Sequence, residues 1–91
     1  MKAVVRTDSY QDDLAAIEAE IARDNPAAAT DMWFHIDDQV GQLSDPSYPR
    51  KHGRVKGTFE LVAHKNYIVV LEEDATTVTV LLVVHARQRF P

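Results

Sequence analysis

The residues best suited to acid–base chemistry in this 91-residue chain are a histidine and an arginine near its last residues. His85 follows a long β-branched run, and Arg87 comes two residues later. Side chains two residues apart share one face for as long as a strand continues. On such a face the imidazole would act as a base near neutral pH while the guanidinium holds a phosphate. The alternative is a histidine that caps the end of a strand by hydrogen bonds.

Four basic residues lie close together between two aromatic residues. The bases are Arg50, Lys51, Arg54 and Lys56, and the aromatic residues are Tyr48 and Phe59. Such a cluster is suited to contacting phosphates or an acidic protein surface. The alternative is a solvated loop. A sequence pI near 5.4 argues against a protein that binds free nucleic acid, because that requires a more basic surface.

The charges are divided unevenly along the chain. Residues 1–48 carry ten acidic and three basic side chains, whereas residues 49–91 carry seven basic and four acidic ones. The formal net charge of −4 therefore conceals a charge dipole, which would steer an acidic partner to one side of the molecule. The alternative is an uneven division without a functional role.

Several kinds of site are excluded or not expected. The chain has no cysteine, which excludes a disulfide framework, a thiolate ligand and a thiol nucleophile. Neither metal-ligand spacing nor a phosphate-binding glycine loop is present, so we expect no metal and no cofactor. There is no apolar run of about 18 residues and no secretory signal. We therefore expect one domain, residues 1–91, in the cytoplasm and away from the membrane.

The first half of the chain is predicted to form a strand and a helical hairpin. Residues 2–6 alternate as a short strand does. Asp8 and Gln11 have capping-box spacing, which predicts a helix that begins at Asp8. Asn25 suits the cap of a second helix and Pro26 its first position, so the two helices meet at a tight turn. The second helix is predicted to continue to about Leu43.

Trp33 stands out on the second predicted helix. The apolar stripe of that helix is formed by Met32, Ile36, Val40 and Leu43. Trp33 and its neighbour Phe34 fall off this stripe. An off-stripe aromatic side chain is suited to contacting a partner, and the alternative is core packing of a wide stripe.

The second half of the chain is predicted to form three strands after a loop. The loop covers residues 44–57, the strands residues 58–63, 67–71 and 76–84, and the turns residues 65–66 and 72–75. Alternation in the first of these strands places Phe59 and Leu61 on one side and Glu60 and Val62 on the other. The element order predicts an α+β fold, with an N-terminal strand, a helical hairpin and a three-stranded antiparallel meander.

Four short segments, in order, match the pattern of one protein family. Residues 53–62 read Gly-Arg-Val-Lys-Gly-Thr-Phe-Glu-Leu-Val, and Tyr67 follows them. Residues 84–91 read Val-His-Ala-Arg-Gln-Arg-Phe-Pro, and the first helix and the turn at Asn25 precede both segments. Together they resemble the RelE/ParE toxins of bacterial type II toxin–antitoxin pairs, and in particular the ParE-like branch. The resemblance covers nearly the whole chain and implies the fold predicted above.

The resemblance also indicates which branch of the family to expect. RelE-type members cut messenger RNA on the ribosome without a metal. They use two lysines on the second strand, arginines on the third strand and near the end of the chain, and a terminal tyrosine. Here the second strand carries Glu60 and Val62, Ile68 stands where the third strand would have arginine, and no terminal tyrosine follows. Because only Arg87 matches, we expect a protein that is not an enzyme.

The resemblance therefore implies three possible functions. The first is a ParE-like inhibitor of DNA gyrase, and the second a ribosome-dependent mRNA endonuclease that uses His85 and Arg87. The third is a non-toxic family member that only binds an antitoxin. In each case the partner is a cognate antitoxin that forms a hetero-oligomer with the chain. The candidate contacts to target or antitoxin are Arg50, Lys51, Arg54, Lys56, Tyr67, Arg87, Arg89 and Trp33.

Overall fold

The computed structural model describes residues 1–91, which form two helices and five strands. The elements are β1 (Ala3–Arg6), α1 (Asp8–Ala22), α2 (Pro26–Gln42), β2 (Lys51–His52), β3 (Phe59–His64), β4 (Tyr67–Glu73) and β5 (Thr77–His85). The strands form one sheet in the order β1-β5-β4-β3-β2. The strands β3, β4 and β5 make an antiparallel meander, and β1 pairs with β5 in parallel. The predicted α+β fold and element order are confirmed. Neither helix has the length and apolar content needed to cross a membrane.

The helix ends correct one prediction and confirm another. α1 is capped by Thr7 rather than Asp8, because the Thr7 hydroxyl oxygen accepts the Tyr10 N–H over 3.2 Å. The same hydroxyl donates to the Val80 carbonyl over 2.7 Å, which ties the start of α1 to β5. At the second helix the Asn25 side chain accepts the Ala28 N–H over 3.1 Å, and Pro26 begins the helix as predicted.

Two predicted boundaries in the second half of the chain are wrong. The predicted loop at residues 44–57 contains β2, a two-residue strand too short to produce a sequence pattern. The predicted turn at residues 72–75 begins too early, because β4 continues through Glu73, which pairs with Val78. The turn itself is held by Asp74, whose carboxylate accepts the Thr76 and Thr77 N–H groups over 2.9 Å each. These backbone hydrogen bonds lower the pKa of Asp74.

The helices pack on one face of the sheet. Their apolar stripes and one set of alternating strand positions form a core cluster of twelve buried residues, among them Leu14, Ile36, Leu61, Val69 and Val83. Strand side chains alternate between the two faces of a sheet, so the second set projects from the opposite face. Neither helix packs on that face. We call this second surface the helix-free face.

A polar cluster joins β1 to both helices. The carboxylate of Asp37 accepts hydrogen bonds from the Arg6 guanidinium and from the Tyr10 hydroxyl, each over 2.9 Å. Burial of the hydroxyl raises the pKa of Tyr10 above its usual value of 10.0, and the hydrogen bond to Asp37 raises it further. Tyr10 is fully buried, so its hydroxyl requires this acceptor.

Replacing Tyr10 with phenylalanine should destabilise the protein. We expect Tyr10→Phe to lower the free energy of unfolding by about 1–2 kcal/mol, because a hydrogen bond to a charged acceptor is lost. Urea denaturation measures this change. An unchanged unfolding midpoint would contradict the contribution assigned to the hydroxyl. Because the folded-state pKa of Tyr10 is raised, this contribution is fully present below pH 10.0 and is lost only as the pH rises through the raised pKa.

Candidate functional site

Two glycines fix the conformation of residues 53–57, which we call the Arg54 loop. The Gly53 N–H donates to the Thr58 carbonyl over 2.8 Å. A Cβ atom at Gly53 would collide with the Thr58 hydroxyl and lie 3.1 Å from the Thr58 carbonyl carbon. Gly57 has a φ of 85°, a conformation that side chains other than glycine rarely adopt. The loop therefore requires glycine at position 53 because the backbone passes close to Thr58, and at position 57 because φ is positive.

The Arg54 loop closes around the carboxylate of Glu60, whose residue is only 2% exposed. Arg54 contacts this group through both its backbone and its side chain, and its Nη2 donates to Oε1 over 3.4 Å. Its backbone N–H donates to Oε2 over 2.9 Å, and its Nε lies 3.3 Å from the same oxygen. The Arg54 side chain remains 39% exposed, so the cation reaches from the buried carboxylate to the surface. Because a buried carboxylate without a partner is strongly unfavourable, this pair holds the loop on β3.

Arg54 also brings the last residues of the chain to the loop. Its guanidinium carbon lies 5.9 Å from the centre of the Phe90 ring, and Nη1 donates to the Phe90 carbonyl over 3.4 Å. The basic cluster and the end of the chain, which are far apart in sequence, therefore meet where Arg54 contacts Phe90.

Arg50 is separated from the other bases by its contacts. Its side chain is 6% exposed and forms an ion pair with Glu73 of β4. The guanidinium also donates to the carbonyls of Leu43 over 3.2 Å, Asp45 over 2.6 Å and Tyr48 over 3.0 Å. These contacts attach the segment after α2 to the sheet. The structure therefore gives Arg50 contacts that stabilise the fold, although the sequence placed it with the surface bases.

The remaining candidate bases are exposed and form no ion pair within the chain. They are Lys51, Lys56, Arg87 and Arg89. The two helices carry eight acidic and no basic side chains. The uneven division of charge along the chain thus separates an acidic helical layer from the basic loops, as the predicted dipole requires.

Tyr67 and His85 lie together at one end of the sheet. They pair across β4 and β5, with ring centres 5.5 Å apart and ring planes at 77°. His64 lies on the other side of Tyr67 at 5.9 Å, and His35 of α2 lies 5.7 Å from His64. The sequence did not group these rings, since they come from three strands and a helix.

His85 caps the end of its strand. β5 ends at this residue, where Nδ1 accepts the Arg87 N–H over 3.1 Å and the His85 carbonyl accepts the Gln88 N–H over 2.8 Å. The strand does not continue to Arg87, so the shared-face arrangement expected for an acid–base pair is not present. The Nε2 atom of His85 makes no hydrogen bond within the chain.

A cleft of about 320 Å³ lies between α1 and this end of the sheet. Its lining includes Tyr67, His85, Asp13 and Glu20. The Asp13 carboxylate accepts the Val83 N–H over 3.1 Å, which fixes α1 against β5. A phenol, an imidazole and a carboxylate around one cleft are groups that can transfer protons.

Trp33 lies on the helical side of the molecule. It is half-buried and packs against the core cluster, which agrees with the core-packing alternative. Its ring meets that of Phe34 edge to face at 5.2 Å, and Phe34 is the exposed member of the pair. Trp33 is therefore not brought together with the basic candidates.

Replacing Gly53 with alanine should destabilise the protein by roughly 2 kcal/mol or more, because the added methyl group collides with Thr58 and must displace the loop from Glu60. Gly41 is the matched control. A Cβ atom there would lie 3.4 Å from Nη2 of Arg6, which is an ordinary van der Waals distance. Since alanine is the better helix former, Gly41→Ala should stabilise α2 by up to about 1 kcal/mol. Thermal unfolding of both variants measures the difference, and equal effects would contradict this account of Gly53.

The fold agrees with comparisons to known proteins. The chromosomal ParDE toxin–antitoxin system from P. aeruginosa contains a chain with a TM-score of 0.84 and 18% identity, over 93% of this chain and 96% of that one. The toxin–antitoxin complex RelBE2 from Mycobacterium tuberculosis contains one with a TM-score of 0.58 and 28% identity, over 92% and 96%. The first likeness shows the fold alone. No curated protein matches in sequence.

The family comparison is more specific, and it agrees with the resemblance seen in the sequence motifs. A family model described as the ParE toxin of the type II toxin–antitoxin system parDE matches residues 4–90. This range contains both helices, all five strands but the first residue of β1, the Arg54 loop and the segment that reaches Phe90. The chain therefore belongs to the ParE toxins of type II toxin–antitoxin systems.

Proposed function

We propose that this protein arrests growth by inhibiting DNA gyrase in the cytoplasm and that a cognate antitoxin neutralises it. Membership of the ParE toxin family supports the proposal. The observation that carries it is the environment of Glu60. This residue lies on the strand where RNA-cleaving relatives have their lysines, and its carboxylate is buried against Arg54. Val62, the next residue on that face, is an exposed apolar side chain. Neither side chain supplies a cation for a scissile phosphate.

A free sheet edge supports the proposed antitoxin partner. β2 pairs only with Phe59 and Glu60, so the rest of β3 has no neighbouring strand on that side. An open cleft of about 390 Å³ lies along this edge, between α2 and the segment that contains Tyr48. An extended antitoxin segment would add as a strand here. The two solved relatives are toxin–antitoxin systems by their descriptions, in keeping with such a partner.

The exposed bases are the proposed contacts to the target. Lys51, Lys56, Arg87 and Arg89 have no partner within the chain, and Arg54 is partly exposed. Surface cations without internal partners steer an acidic protein surface towards themselves and fix its orientation. Tyr67 and Trp33 belong to the other side of the sheet, so they would serve a different contact.

One observation favours a second candidate, the mRNA endonuclease. His85 and Tyr67 line the same cleft as Asp13, and Nε2 of His85 has no hydrogen-bond partner in the chain. An imidazole in this position would act as general base or acid on RNA. Against it, Arg87 is held in a turn after the strand rather than beside the imidazole.

The two candidates predict different first effects of the toxin. DNA and protein synthesis should be followed by pulse-labelling just after this chain is induced in cells without its antitoxin. We expect DNA synthesis to fall first while translation continues, because gyrase is needed ahead of the replication fork. An early collapse of translation with cleaved messenger RNA would contradict gyrase inhibition. No effect on either process would indicate a non-toxic antitoxin-binding protein.

Two histidine variants sharpen this experiment. His85→Ala should leave the fall in DNA synthesis unchanged, whereas a nuclease that uses His85 would lose its activity. His52→Ala is the matched control, because His52 is exposed, stacks on Phe59 and lies at the other edge of the sheet. A loss of toxicity in both variants would indicate an effect on folding rather than chemistry.

A further inference from the structure

The second helix carries an exposed aromatic ring on the side that faces away from the core. Phe34 is 54% exposed, and its ring meets that of Trp33 edge to face at 5.2 Å. Trp33 in turn packs against the core cluster and lines a cleft of about 270 Å³, whose lining also includes Gln11 and Leu14 of α1. The two rings therefore connect an exposed apolar side chain to a cleft between the helices.

Two carboxylates flank the exposed ring along α2. Asp31 lies three residues before Phe34 and Asp38 four residues after it, and positions at these spacings share one face of a helix. Both aspartates are exposed, and neither forms an ion pair within the chain. Seven helical residues span about 10 Å along the axis. We call the stripe formed by Asp31, Phe34 and Asp38 the outer face of α2.

The charges of this face determine which class of partner it fits. The two helices carry eight acidic and no basic side chains, so the outer face repels nucleic acids and anionic lipids. Lysine and arginine side chains are attracted instead. Their methylene groups pack on an aromatic ring while the charged end reaches a carboxylate. The complementary surface is therefore an apolar side chain with a basic residue on either side of it.

The spacing of the carboxylates favours a helix over a strand as the structure that presents these groups. In a helix, residues i, i+3 or i+4, and i+7 share one face, so two bases seven residues apart can reach Asp31 and Asp38 together. A strand covers the same distance of about 10 Å in three residues. Residues i and i+3 of a strand point to opposite faces, so only one of the two bases would reach this surface.

We propose that the outer face of α2 binds an amphipathic helix of a partner protein, whose apolar stripe is bordered by lysine or arginine residues. Phe34 and Trp33 make the apolar contacts, and Asp31 and Asp38 set the position of the partner helix along α2. None of these residues belongs to the edge of β3 or to the exposed bases. The proposal goes beyond the proposed function, because it holds whichever target the toxin inhibits.

The fluorescence of Trp33 reports directly on this surface, because the chain contains no other tryptophan. The probe is a synthetic helical peptide of about 15 residues, which has a leucine stripe bordered by lysines and no tryptophan. A control peptide has glutamate at every lysine position. The lysine peptide should shift the Trp33 emission of the full-length protein to shorter wavelength, since a bound helix removes water from the ring. We expect the glutamate peptide to bind at least about tenfold more weakly.

One pair of variants tests the contribution of the ring. Phe34→Ala should weaken binding of the lysine peptide by about tenfold, as expected for an aromatic residue at the centre of an interface. Val5→Ala is the matched control, because Val5 is an apolar residue of β1 that is 47% exposed. The control should bind the peptide as the natural protein does.

A second pair of variants separates local charge from general attraction to an acidic protein. Asp31→Asn combined with Asp38→Asn should weaken binding by about tenfold. Asp24→Asn combined with Glu72→Gln is the matched control, because it also removes two exposed acidic residues, neither of them on a helix. This control lowers the net negative charge equally and should change binding little.

Four results would overturn the proposal. The first is the absence of any shift in Trp33 emission with the lysine peptide. The second is equal weakening by the two charge variants, which would mean that net charge alone attracts the peptide. The third is unchanged binding to Phe34→Ala. The fourth is an emission shift that appears without peptide as the protein concentration rises, together with a dimer in analytical ultracentrifugation, which would mean that a second copy of the chain occupies this face.

Discussion

The buried carboxylate of Glu60 is the constraint on which the basic side of the molecule depends. An ionised carboxylate that is nearly removed from water requires a partner, and Arg54 supplies both a backbone N–H and a guanidinium. To bring Arg54 there, the chain passes close to itself at Gly53 and turns with positive φ at Gly57. The outer side of the same guanidinium meets Phe90. One charge pair thus sets the loop and the path of the last residues.

Helix packing on a single face of the sheet explains the rest of the arrangement. The helices bury one set of strand side chains and carry only acidic residues on their charged surface. The other set projects from the helix-free face, and most of the bases lie in the loops outside the helices. A ParE toxin of this kind presents two different surfaces, an acidic helical one and a basic one with apolar side chains beneath it. Surfaces of opposite charge favour partners of different chemistry.

Periodicity predicted both helices, the meander and the Asn25-Pro26 turn, because these depend on local spacing. The residues of the candidate site could be predicted only where the sequence pattern that indicates them is local. Alternation placed Glu60 on the strand face opposite Phe59 and Leu61, but its ion pair with Arg54 depends on the conformation of a loop. The sequence does not distinguish Arg50 from the other bases, because its ion-pair partner Glu73 is 23 residues away along the chain. The end of β5 at His85 is set by a turn that hydrogen bonds to Asn66, and no strand pattern reveals it.

A double-mutant cycle on Arg54 and Glu60 tests most directly whether this ion pair organises the loop. The free energy of unfolding is measured for the natural protein, Arg54→Ala, Glu60→Gln and the double variant. We expect the two changes to be coupled by about 1–3 kcal/mol, since each removes the same interaction. Additive effects to within about 0.5 kcal/mol would contradict it. That result would mean that the pair does not organise the loop and that the residues around it hold their positions independently.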